Sequence, residues 1–106
     1  MQISEIKQQF PQVVQSIDRA TKALSSDTSA PQELKDAVRE LGTQTKQAGT
    51  LVQQSSDERS VQGVIEALEK VGDRAKKAVE KSGDVSPETR NAVLQAHDQI
   101  SRLKRN

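Results

Sequence analysis

The sequence contains no cysteine, tryptophan or tyrosine, and a single phenylalanine, Phe10. Without cysteine there is no disulfide, no thiolate nucleophile and no sulfur ligand for a metal. One aromatic ring supplies no platform on which nucleic-acid bases could stack. There is one histidine, His97, too few nitrogen ligands for a transition-metal site made by one chain. An excess of charge is also missing. Lys and Arg number 16 and Asp and Glu 15, for a net charge of +1, so no broad field draws in nucleic acid or anionic lipid. No apolar run approaches the roughly 18 residues that span a bilayer. The opening "MQISEIKQQF" has neither the basic nor the apolar segment of a signal peptide, and a cytoplasmic location is the expectation.

Hydrophobic residues make up only 32% of the chain, a level that borders on disorder, but disordered chains usually carry a high net charge. Periodicity decides for folding. Ile3, Ile6, Phe10, Val13, Ile17, Ala20 and Leu24 are spaced three, four, three, four, as one face of a helix requires. "SSDTSAPQE" then breaks the pattern, with Ser29 and Gln32 set as a capping box and Pro31 tolerated in a first helical turn. A second stripe runs through Leu34, Val38, Leu41, Thr45, Ala48 and Val52, ended by "QQSSDE", where Ser55 and Glu58 offer another capping box. The third stripe is wider: Val61, Val64, Ile65, Leu68, Val71, Ala75, Ala78, Val79 and Ser82. Gly83 suits a C-terminal cap, and "SPE" from Ser86 opens a last stripe of Thr89, Val93, Ala96, Ile100 and Leu103.

Each predicted helix has about 20–26 residues, roughly 30–39 Å at 1.5 Å per residue. Connections this short favour antiparallel neighbours. The expected fold is an all-α, up-down-up-down four-helix bundle over residues 1–106, in hairpins of about 1–54 and 56–106. An offset of 55 residues aligns the halves: Asp18-Arg19-Ala20 with Asp73-Arg74-Ala75, Lys22-Ala23 with Lys77-Ala78, and Ala37-Val38 with Ala92-Val93. A duplicated hairpin is one reading of this, and simple helical composition is the other.

Arg90 and His97 are the one pair whose types suggest catalysis. An imidazole could exchange a proton with a ribose hydroxyl while a guanidinium holds the phosphate. Their Arg-x6-His spacing resembles the signature of the HEPN ribonucleases, which are also compact helical bundles. The resemblance covers these two positions, lacks the aromatic residue that commonly follows, and implies a dimeric ribonuclease. His97 is also a candidate phosphoacceptor of a histidine phosphotransfer bundle, but "HDQISRLKRN" has no Lys-Gly pair or run of small residues after it. The offset sets Arg90 against Lys35, and His97 against Gly42 on the flank of a core stripe. That favours an ordinary flanking histidine, whose replacement should change little.

Di-iron bundles need Glu-x-x-His pairs, and Leu94 stands three residues before His97. The charges of "EKVGDRAKKAVEK" fall into opposite i,i+4 pairs on a solvated face: Glu66–Lys70, Asp73–Lys77 and Lys76–Glu80. Arg102, Lys104 and Arg105 suit the negative end of a helix dipole. Gly42, Gly49, Gly63 and Gly72 all lie inside predicted helices, at about 1 kcal/mol each relative to alanine. They suggest close helix–helix approach beside a thin, alanine-rich core, or a groove for a partner helix. The sequence therefore predicts no catalytic, cofactor or metal site. It points to a non-catalytic interaction, adaptor or scaffold module that binds a protein partner or self-associates, for example as a homodimer, through its helix faces. A membrane, nucleic acid or small-molecule substrate is not expected.

Overall fold

A computed structural model describes residues 3–55 and 57–105. Four helices follow one another: α1 (Ile3–Ser25), α2 (Gln32–Gln54), α3 (Glu58–Lys81) and α4 (Pro87–Arg105). They form an antiparallel four-helix bundle in which each helix packs against two neighbours, α1 on α2 and α4, and α3 on α2 and α4. The molecule measures 42 × 20 × 17 Å, its long axis set by helices of 19 to 24 residues, about 28–36 Å each, and the connections at their ends. The connections after α1 and α3 lie at one end, and the α2–α3 connection at the other.

The apolar stripes become the core because burying them is the main return for ordering so polar a chain. Ile6, Phe10, Val13, Leu41, Ile65, Leu68, Ile100 and Leu103 are nearly inaccessible and pack at the end holding the α2–α3 connection. The other end is built from smaller side chains, with Ala20, Ala23, Ala37, Ala75, Ala78 and Ala92 around Leu34, Val38 and Val79. α1 runs through Pro11 without ending. Proline cannot donate to the Lys7 carbonyl, at a cost of about 3 kcal/mol inside a helix. Buried residues on both sides of it hold the helix together.

Three caps differ from the sequence expectation. Ser29 does not cap α2; the N-cap is Pro31, with no side-chain hydrogen bond. At α3 the cap is Asp57, whose Oδ1 accepts the Arg59 N–H at 3.1 Å, while Ser55 Oγ accepts the Asp57 N–H at 3.0 Å. The carboxylate, two residues closer to the first free N–H groups of α3, takes the capping position, and the serine holds the capping residue. Gly83 follows the C-cap Ser82 but has no left-handed φ, so any residue suits that backbone. Ser86 does cap α4, accepting the Thr89 N–H at 3.2 Å.

The burial pattern repeats at the offset found in the sequence. Ile6, Phe10, Val13, Ser16, Ile17, Ala20, Ala23 and Leu24 of α1 are buried. So are their counterparts in α3: Val61, Ile65, Leu68, Val71, Gly72, Ala75, Ala78 and Val79. Leu34, Ala37, Val38, Leu41, Thr45 and Ala48 of α2 match Thr89, Ala92, Val93, Ala96, Ile100 and Leu103 of α4 in the same way. Cross-helix contacts repeat too. Arg19 of α1 donates to Gln95 of α4 at 2.8 Å, and its counterpart Arg74 of α3 pairs with Glu40 of α2, the counterpart of Gln95.

Candidate functional site

His97 lies on α4, one residue past the buried Ala96, and its side chain is 14% exposed. Its Nε2 is 2.7 Å from Oδ1 of Asp73 on α3. Nδ1 is buried without a hydrogen-bond partner, and the nearest acid to it is Asp98 at 3.7 Å. The ring lies beside Gly72, where a β-carbon would stand at ordinary contact distance, 3.8 Å from the imidazole and 3.6 Å from Ile100. One nitrogen is thus held by a carboxylate and the other is buried, so a group attacking at Nε2 would first have to displace the Asp73 bond.

Arg90 is not brought to His97. Its guanidinium donates to the Ser82 carbonyl at 2.9 Å and satisfies a backbone acceptor at the end of α3. Seven residues of helix separate the two positions by about 10 Å along the axis. Each side chain therefore ties α4 to α3, at different heights. Asp73, expected to pair with Lys77, instead meets the histidine, a partner that only the packing of two helices could supply. Lys104 likewise reaches Glu69 on α3 at 2.7 Å, which raises the lysine pKa. Among the described residues, no group of three or more His, Asp or Glu side chains gathers as a metal site would require.

A second polar cluster joins the two connections at the alanine-rich end. Asp27 is buried. Its Oδ1 accepts from the Ser29 N–H at 3.0 Å, and its Oδ2 accepts from the Ser86 N–H at 3.0 Å. The Ser29 hydroxyl lies 2.6 Å from both the Asp27 carboxylate and the Asp84 carbonyl, and its one proton is shared between them. The hydrogen bonds from Ser29 first, then from Ser86, hold the Asp27 carboxyl far below the usual carboxylate range, against the opposing effect of desolvation. Thr89 completes the cluster, taking a hydrogen bond from Ser86 Oγ at 2.9 Å. This is a clasp between loops. The sequence signalled only that "SSDTS" was a turn.

The surface opens between α1 and α2. A groove of about 620 Å³ is lined by Phe10, Pro11, Val14, Thr45, Gly49 and Thr50. It adjoins another of about 380 Å³ beside Ile17, Asp18, Thr21 and Gly42. Val14, 38% exposed, is the exposed large hydrophobic residue of the described chain. It lies off the heptad stripe, next to Val13, and that break in register was its only mark in the sequence. The glycines divide. A β-carbon on Gly49 would come within 3.2 Å of the Phe10 ring, so close approach explains that residue, whereas at Gly72 it would make only ordinary van der Waals contacts. Gly42 and Gly63 would meet nothing within 4 Å, and close packing explains neither.

No family model, curated protein or solved structure matches this chain. No helix is long and apolar enough to cross a membrane among the described residues.

Proposed function

We propose that this chain is a non-catalytic interaction module, an adaptor or scaffold that works through its helix faces. The observation that carries this reading is the α1–α2 groove, which leaves Val14 exposed above the buried Phe10. Apolar surface left open on a small bundle is what a partner's helix face buries. The repeated burial pattern supports a further part of the proposal, that the bundle arose from one duplicated hairpin.

The alternative is a HEPN-like ribonuclease using Arg90 and His97, or a phosphotransfer module using His97. These draw less support, because Arg90 is engaged by Ser82 and both His97 nitrogens face protein. The test is to incubate the purified chain with single-stranded RNA and, separately, with a phosphohistidine donor. The interaction reading expects no turnover and no label. Cleavage or labelling that disappears in His97→Ala overturns it.

A further inference from the structure

Aligning the two hairpins by their common burial pattern shows where they differ. The outer seam between α3 and α4 is bridged by two polar pairs, His97–Asp73 and Lys104–Glu69, each at 2.7 Å. At the offset of 55, the corresponding positions on the α1–α2 seam are Gly42 with Asp18 and Gly49 with Val14. Both bridging side chains of the second helix are reduced to hydrogen, and one acid is replaced by valine. The positions buried beneath correspond on both sides. One seam is closed and the other is an apolar groove.

Phe10 accounts for Gly49, but Gly42 bears the helix cost of glycine with open space in front of it. The charges along the groove are divided between its walls. Asp18 stands on the α1 side, and Arg39 and Lys46 on the α2 side. Neither Asp18 nor Lys46 has an ion-pair partner within 4 Å among the described residues.

This face is complementary to itself. A projecting valine and an acid lie on one wall, with glycine gaps and two bases on the other. We infer that two copies of this chain pack face to face through α1 and α2, each α1 lying over the partner's α2. In a two-fold pairing every contact is made twice. A dyad along the groove sets Val14 of each copy into the glycine-lined groove of the other. It brings Asp18 level with the partner's Gly42, one helical turn from both the partner's Arg39 and the partner's Lys46. The acid on one wall and the bases on the other select a second copy as the occupant, because the two-fold sets each wall against its complement.

This inference rests on the interaction-module reading and names its partner. The experiment is sedimentation equilibrium of the full chain from about 1 μM to about 1 mM, the range in which such affinities are read. The expected result is a reversible dimer of twice 11.6 kDa. Val14→Glu should weaken it by about tenfold or more with helix content unchanged, since a charge would replace an apolar contact that the two-fold makes twice. Asp18→Lys and Lys46→Asp should each weaken it, and the double swap should restore it, while Glu80→Gln on the far side changes nothing. A monomer throughout the range, a dimer indifferent to Val14→Glu, or a double swap no better than the singles overturns the proposal. A dimer that cleaves RNA through His97 would instead overturn the non-catalytic reading and leave this interface standing.

Discussion

Asp27, in the connection after α1, accepts the backbone N–H of Ser86, in the connection after α3, at 3.0 Å. With the Ser29–Asp84 bond beside it, this contact spans the two hairpins at the end of the bundle where the core is poorest in large side chains. The carboxylate form makes the bond, and its pKa is lowered by the donors around it. The stabilisation is therefore complete above the ordinary carboxylate pKa of about 4 and is lost as pH falls below it toward the folded value. Thermal melts between pH 7 and pH 2 should show a steep acid limb, and Asp27→Asn should start lower at pH 7 with a shallower limb. An acid limb unchanged by Asp27→Asn would assign the effect to other carboxylates.

Loss of the clasp should also act locally. In native-state hydrogen exchange, Asp27→Ala should speed exchange around Ala20–Leu24 and Ala78–Val79 more than around Phe10 and Ile65. The former sit among alanines, and the latter in a core of large residues. Uniform acceleration along all four helices would show that the clasp contributes only to global stability.

Replacing His97 should cost more than its flanking position suggested. His97→Ala removes a mostly buried ring and its 2.7 Å bond to Asp73, for about 1–2 kcal/mol in denaturant unfolding. Asp73 is 48% exposed, so the coupling between the two should be only about 0.5–1 kcal/mol in a double-mutant cycle. About half of the loss then belongs to burial of the ring beside Gly72. A coupling near zero would show that the ion pair contributes nothing beyond that packing.

The glycines should respond in opposite ways. Gly63→Ala places a methyl in open space on a helix and should stabilise by about 0.5–1 kcal/mol. Gly49→Ala forces the buried Phe10 ring to give way at 3.2 Å and should cancel or reverse that gain. Equal effects of the two substitutions would remove close approach as the reason for Gly49.

Truncating the large-residue core should be severe. Leu68→Ala or Phe10→Ala leaves a cavity among residues with almost no solvent access, at about 2–5 kcal/mol. Val79→Ala, among alanines that can close inward, should cost less. Denaturant midpoints at constant slope measure both.

What the sequence determined by itself is the set of faces. The three-four spacing of Ile6, Phe10, Val13 and Ile17, and of its three successors, encodes helices and their buried sides, because a 3.6-residue turn is a local property. Short connections then leave little choice but antiparallel neighbours, and the offset of 55 proved to be the offset of the burial pattern. Partners across helices were not legible. That Asp73 meets His97 and not Lys77, that Arg90 reaches Ser82, and that Asp27 joins two turns all depend on how helices are set against one another in height and rotation. Spacing along one chain does not contain that information. The tertiary structure alone decided which seam is bridged by side chains and which is left open, because a glycine becomes a gap only when the residue facing it is known.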